Sequence, residues 1–325
     1  MEAKPATHHH ELPGSGRVLT LSTIAFTLMF AVWLMFGILG VPIQKEFGLT
    51  NPELFWITSL AVLNGSMWRL PAGMIADRIG GRKVMLYFLL TGAVASVAVS
   101  FANSYPMLLV LAFLVGFVGN SFSVGIAWNS AWFSDHRKGF ALGVFGAGNV
   151  GASVTKFIGP AIIAATAGAT YAFGIHGGWR LIPVIYAVLL VLTAIAMFFI
   201  TPRVDHVPGS SKPIREMLVP LRDVRVWRFS LYYVVFFGAY VAFSAYLPSY
   251  YVSSFGVDLQ AAALLTATFI FPASLLRPVG GWISDRWGAR RAMYASFFVM
   301  LVACGLLMMP NGHLVFHLPD EIGRA

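Results

Sequence analysis

The chain has 325 residues, 58% of them hydrophobic and 11% charged, with a formal net charge of +9 at pH 7. A soluble domain carries about 25% charged residues. The composition, with a mean hydropathy of +0.76, therefore excludes a soluble globular protein and describes an all-α membrane protein with several spans. The basic excess is read through membrane topology before any nucleic-acid reading, and the single cysteine, Cys304, excludes an intrachain disulfide.

Residues 1–17 form a polar N-terminal tail containing His8, His9 and His10. It lacks the apolar core of a cleavable signal peptide, and three adjacent histidines read as a solvated tail in preference to a metal site. Nine apolar stretches long enough to cross a bilayer follow. They lie near 18–41, 54–76, 83–102, 106–133, 139–165, 180–201, 228–252, 260–283 and 291–310. The first six make a bundle over 18–201. Residues 202–227, with Pro202, Pro208, Pro213, Pro220 and many charges, read as a linker. Three helices over 228–310 make a partial second bundle, and 311–325 is a polar tail. Arg78, Arg82, Lys83, Arg137, Lys138, Arg286, Arg290, Arg291 and the basic residues of the linker collect on one side. The positive-inside rule places that side, the N-terminus and the linker in the cytoplasm and the last tail outside.

One motif occurs twice. Residues Arg69 to Lys83 and Arg277 to Arg291 share the pattern R-x3-G-x3-D-R-x-G-x-R-[KR] at an offset of 208 residues. In a membrane chain a repeat at this distance indicates two similar halves with a ligand site between them. Within each copy the first arginine precedes the aspartate (Asp77 or Asp285) by eight residues, which sets Arg69 and Arg277 roughly 12 Å from the helix end. Both then lie near the middle of a hydrocarbon core about 30 Å thick, where a charge needs a functional reason. No interior of a span contains Asp or Glu. The expected counter-ion is therefore the ligand, and planar guanidinium forks suit a small planar oxyanion. Gly73, Asp77, Arg78 and their counterparts Gly281, Asp285 and Arg286 read as a conformational motif. Its aspartates are expected to pair with cationic groups across the interface between the halves.

The fifth stretch opens Gly139-Phe140-Ala141-Leu142-Gly143-Val144-Phe145-Gly146-Ala147-Gly148-Asn149-Val150-Gly151. No strand precedes it, so the G-x-G-x-x-G within it is not a dinucleotide loop. Its glycines allow close helix contact. Asn149 is set at a depth where its amide reaches either an anion or a neighbouring helix. Lys156, seven residues on, shares its face and reads either as a snorkelling side chain or as a gate or titratable coupling residue. Phe122, Tyr233 and Phe237 fall at comparable depths, and Tyr233 and Phe237 share a face at i,i+4. They read as packing aromatics or as walls for a flat ion.

These residues resemble the major facilitator superfamily, whose cytoplasmic motif is matched by Gly73 to Lys83 and again after the eighth span. Within it the chain is similar to the nitrate/nitrite porters, through Arg69, Arg277 and the fifth-span run Gly143 to Val154. The resemblance implies that Arg69 and Arg277 grip nitrate or nitrite, that Asn149 and Tyr233 are polar donors, and that Phe122 and Phe237 sandwich the ion. It implies twelve helices, so the chain reads as truncated after the ninth. Lys156 resembles the proton-coupled branch. The reading therefore prefers proton symport over nitrate/nitrite exchange, by a multi-pass secondary transporter of the cytoplasmic membrane. Alternatives are a porter for another small anion or a truncated, non-transporting membrane protein. No enzymatic conversion, cofactor, metal or nucleic-acid partner is expected; the expected partners are the anion, protons and the lipid bilayer, and the expected state is a monomer.

Overall fold

The structure, a computed structural model, describes residues 12–307. The three N-terminal histidines and the 311–325 tail lie outside the described residues. Among the described residues, nine helical spans run in chain order. The first is Ser15–Phe47, the second covers 51–79 as Asn51–Met67 and Arg69–Ile79, and the third is Gly81–Ser100. The fourth is Tyr105–Trp132, and the fifth covers 138–165 as Lys138–Ala147, Gly148–Val150 and Gly151–Ala165. The sixth to ninth are Gly178–Ile200, Val224–Phe255, Leu259–Trp287 and Ala289–Leu306.

Seven of these are long and apolar enough to cross a membrane. The second and fifth are interrupted by Asn64 and Arg69, and by Asn149 and Lys156. Polar groups at mid-depth thus lower the apolar character of these two spans, while the eighth stays apolar enough despite Arg277. The helices also begin earlier than their apolar runs. The first starts at Ser15, inside the segment read as tail. The seventh starts at Val224, inside the segment read as linker, where Asp223 caps it by accepting the Arg225 N–H at 2.9 Å.

The first six spans pack around the first, whose Phe26, Met29, Phe30, Trp33, Met35 and Ile38 are buried. The later spans join this bundle along two seams: the seventh packs on the first, and the eighth packs on the fifth along its length. The linker is tied down at its start. The Asp205 carboxylate accepts the indole N–H groups of Trp128 at 2.9 Å and Trp132 at 3.0 Å, and the backbone N–H of Arg82 at 2.9 Å.

The spans on those seams, and the second and fourth, are each irregular at one point. The first is interrupted between Trp33 and Phe36. The second breaks at Trp68 and the eighth at Leu276. The fourth and fifth contain the 3-10 turns Phe117–Asn120 and Gly148–Val150, and the seventh a π-turn at Val234–Gly238. Irregular backbone at membrane depth persists where protein or a cavity surrounds it, and local 3-10 and π segments often mark function. The third span and the Leu181–Ile200 helix of the sixth run unbroken at the periphery.

Candidate functional site

The six irregularities converge on two arginines. Arg69 and Arg277 are each the first residue after a helix break, and each opens an 11-residue helix that ends at the repeated motif. The repeat is therefore structural as well as written. The Arg69 guanidinium lies 5.2 Å from the centre of the Phe237 ring, and that of Arg277 lies 5.4 Å from the same centre. One aromatic ring, carried on the π-turn of the seventh span, thus serves both cations.

Arg69 is held loosely. Its Nε donates to the Gly65 carbonyl at 3.2 Å, its Nη1 reaches the Tyr233 hydroxyl at 3.4 Å, and its Nη2 is buried without a hydrogen-bond partner among the described residues. Arg277 is held more firmly. The guanidinium has only donors, so Asn149 presents its amide oxygen, 2.7 Å from Nη2 and 3.2 Å from Nη1. Of the two roles open to Asn149 in the sequence, the interhelical hydrogen bond is the one occupied here. Neither arginine forms a salt bridge among the described residues.

The aromatics form a continuous wall. Phe122 stacks on Phe237 with centres 5.9 Å apart and planes 15° apart, and on Tyr233 at 6.1 Å and 23°. Tyr233 and Phe237 stack at 4.9 Å. The sequence reading missed two members. Trp33 lies 5.4 Å from Arg69, with its indole N–H donated to the Ala61 carbonyl at 2.9 Å. Tyr240 lies 5.9 Å from Arg277 and shares a hydrogen bond of 2.8 Å with Ser274. The signal for Tyr240 is its spacing, three residues after Phe237 on the same helix face. Trp33 has no local signal; it is placed by glycines in two other spans, since a side chain at Gly65 or Gly119 would meet its ring.

Lys156 does not snorkel. It is 2% exposed, and its Nζ donates to the Ala152 carbonyl at 3.3 Å and the Ser244 hydroxyl at 3.4 Å. The reason is packing: the eighth span lies along this stretch of the fifth, and the seventh brings Ser244 to the ammonium group.

Among the described residues the motif aspartates form no ion pair with cationic side chains across the halves. Asp285 does cross the interface, but it accepts the backbone N–H groups of Gly139 at 3.1 Å and Phe140 at 2.8 Å, in the first turn of the fifth span. A helix N-terminus has unpaired N–H groups and a partial positive charge, so it takes the place of a cation. Asp77 faces the linker instead, where its carbonyl accepts the Gly209 N–H at 3.0 Å. Gly281 lies directly on the backbone of Gly139, whereas a side chain at Gly73 would meet only Ser123, at 3.7 Å. Arg286 lies over Trp282 at 5.4 Å, and Arg78 is exposed at the same basic end.

The glycines of the fifth span set the distance to Arg277. A Cβ at Gly143 would stand 2.6 Å from the Arg277 carbonyl oxygen, and one at Gly146 would stand 3.2 Å from Arg277 Nη1. The signature is therefore a packing surface for the helix that carries the second arginine.

The sequence profile of the Major Facilitator Superfamily matches residues 21–316. A curated relative from Thermus thermophilus, named probable nitrate/nitrite antiporter NarK1, is 65% identical over 96% of this chain and 71% of its own length. The probable nitrate transporter NarT of Staphylococcus epidermidis is 30% identical over 91% of this chain and 73% of its own. Among solved structures, an inward-facing bacterial homologue of the human lysosomal transporter Spinster superposes with a TM-score of 0.63 at 19% identity. That alignment covers 86% of this chain and 63% of the other, and it shows the fold alone. A repeated motif behind two paired arginines, a glycine-lined fifth span and these matches together place the chain in the nitrate/nitrite porter family of the major facilitator superfamily.

Proposed function

We propose that the protein is a secondary transporter of nitrate and nitrite in the cytoplasmic membrane, with its N-terminus and basic end in the cytoplasm. The anion is held between Arg69 and Arg277. The observation that carries this is the shared Phe237 ring: two guanidiniums meet one aromatic wall with no carboxylate bound to either among the described residues. Two cations brought this close repel, and a small anion between them relieves that repulsion. A planar oxyanion also matches the geometry. It would accept bonds from Arg69 Nη2 and from the Tyr233 hydroxyl while lying against the aromatic wall of Phe122 and Phe237.

For coupling, the reading is exchange of nitrate for nitrite. The name of the Thermus relative supports it. So does the charge: an empty site holding two arginines crosses the low-dielectric barrier at a high cost, and bound anion lowers that cost. Proton symport is the second reading. It rests on Lys156, a buried ionisable group between the fifth and seventh spans.

The test is thermal unfolding of the purified protein with increasing nitrate, nitrite, chloride and sulfate. Stabilisation by nitrate and nitrite that saturates, with little effect of chloride or sulfate at equal ionic strength, supports the reading. Equal shifts with all four salts contradict it.

A further inference from the structure

We propose that Asn120 is the positioning residue for Arg69: its carboxamide is inserted into the backbone ladder of the second span, one residue before the arginine, and sets where the guanidinium stands. The inference rests on Arg69 as an anion ligand and adds the group that places it.

In a continuous helix the Trp68 N–H donates to the Asn64 carbonyl. Here the Asn120 side chain stands between them. Its Oδ1 accepts the Trp68 N–H at 3.1 Å, and its Nδ2 donates to the Asn64 carbonyl at 2.8 Å and to the Phe117 carbonyl at 2.9 Å. The partners fix the orientation of the amide, because an N–H only donates and a carbonyl only accepts. Asn120 is 0% exposed. A side chain inserted into the ladder in this way is a recognised cause of a helix kink, and a carboxamide reproduces the donor and acceptor of the peptide group it displaces.

Two neighbours complete the break. Pro71 has no N–H and its ring excludes the Met67 carbonyl, which ends the ladder on the far side. Arg69 Nε takes the Gly65 carbonyl at 3.2 Å, the acceptor its own backbone N–H would use in a continuous helix. The arginine is thus folded back onto its own span, with the Trp33 and Phe237 rings 5.4 Å and 5.2 Å from its guanidinium.

The repeat supplies an internal comparison. Leu276 and Pro272 occupy the places of Trp68 and Asn64. The Leu276 N–H donates to the Pro272 carbonyl at 3.0 Å, so that ladder bond is kept. Among the described residues the inserted amide occurs in the first half only. It also ties Arg69 to the fourth span, where Asn120 ends the 3-10 turn and Phe122 follows two residues later. A shift of that turn carries the arginine and the aromatic wall together.

The experiment measures nitrate affinity and unfolding midpoint for Asn120→Leu, Asn120→Asp, Asn129→Leu, Arg69→Lys and Arg69→Lys with Asn120→Leu. Asn129 is the matched control. It is fully buried on the same span and donates to Ser22 Oγ and the Gly125 carbonyl, both at 2.9 Å, away from the arginines. Expected is a Kd about tenfold or more weaker in both Asn120 variants, against about twofold or less in Asn129→Leu at a similar loss of stability. Adding Asn120→Leu to Arg69→Lys should weaken binding no further. If Asn120→Leu does not fold, Asn120→Asp carries the same comparison, since it keeps the acceptor for Trp68 and loses the donor to Asn64. Parent-like affinity in the Asn120 variants beside a defect in Arg69→Lys overturns the inference and leaves the anion site standing. Parent-like affinity in Arg69→Lys as well overturns the anion site itself.

Discussion

Asp285 of the eighth span accepts the backbone N–H of Phe140, in the first turn of the fifth span, at 2.8 Å. The contact joins the two halves at the basic end and buries no side-chain cation. A carboxylate at a helix N-terminus contributes about 0.3–1 kcal/mol at exposed sites and up to about 2 kcal/mol where partly buried. Asp285→Asn keeps an oxygen but loses the charge, so it should raise the population open at the basic end by about fivefold, from about 1 kcal/mol. Spin-label distances between the basic ends of the second and eighth spans read this directly. A distribution identical to the parent's would remove Asp285 as a latch.

Arg69→Lys and Arg277→Lys conserve charge and lose the planar fork. Each should weaken nitrate binding by about tenfold or more, because hydrogen bonds to a charged group are worth about 1.5–3 kcal/mol each. Arg277→Lys should also lower the unfolding midpoint, since the Asn149 oxygen loses its paired donors. Arg69→Lys should lower it less, because that guanidinium makes longer bonds. Calorimetric titration with nitrate and a thermal scan of both variants check the two halves of this claim. Equal destabilisation would show that the difference in their restraint has no energetic weight.

Much of this was legible in the sequence, and the reasons are particular. Arg69 and Arg277 stood out because charge is rare in an apolar span, and Gly143 to Val154 because glycines at helical spacing have few uses in lipid. The breaks at Trp68 and Leu276 were not legible. In a span apolar on all sides the 3.6-residue pattern loses its contrast, so a register shift leaves no trace; only Pro71 and Pro278 hinted at it. With 27 Phe, 11 Tyr and 9 Trp in the chain, composition gave no reason to select Trp33. Asp205 was hidden for a different cause: its partners Trp128, Trp132 and Arg82 come from two separate helices, and sequence distance conceals the cluster. The pairing of Asp285 with a helix end escaped a search for opposite side-chain charges, because backbone N–H groups carry no letter.

The two motif glycines should respond differently in this chain. At Gly281 a methyl group would run into the Gly139 backbone, which cannot yield without separating the fifth and eighth spans. Gly281→Ala should cost about 1–3 kcal/mol, the usual range for overpacking. At Gly73 the nearest atom to a new Cβ is 3.7 Å away, so Gly73→Ala should be neutral or stabilise the helix by about 0.5–1 kcal/mol. Unfolding midpoints of the two variants test the contrast, and equal losses would contradict it.

Asp205 holds the start of the linker by accepting from two indoles and the Arg82 N–H, with its neighbour His206 donating a further backbone bond at 3.0 Å. Asp205→Ala leaves the indole donors of the buried Trp128 and Trp132 unmatched, at about 1–3 kcal/mol for each unsatisfied group. The expected result is a lower unfolding midpoint together with faster tryptic cleavage at Arg203 and Arg215. A variant cleaved at the parental rate would show that the linker is held by other contacts.

Lys156 decides between the two coupling schemes. In the exchange scheme the site returns across the membrane only with an anion between the arginines, so net uptake needs a counter-substrate on the other side. Lys156 then serves as a fixed polar contact between the fifth and seventh spans, through Ser244, and Lys156→Gln should keep exchange at a reduced rate. In the symport scheme Lys156 loses its proton to let the empty site return, and regains it with the next anion. Vesicles containing the purified protein separate the two. Nitrate uptake should appear when nitrite is inside and be absent from nitrite-free vesicles, even under an inward proton gradient. Uptake driven by that gradient into nitrite-free vesicles, and lost in Lys156→Gln, would replace exchange with symport and make the lysine the proton carrier.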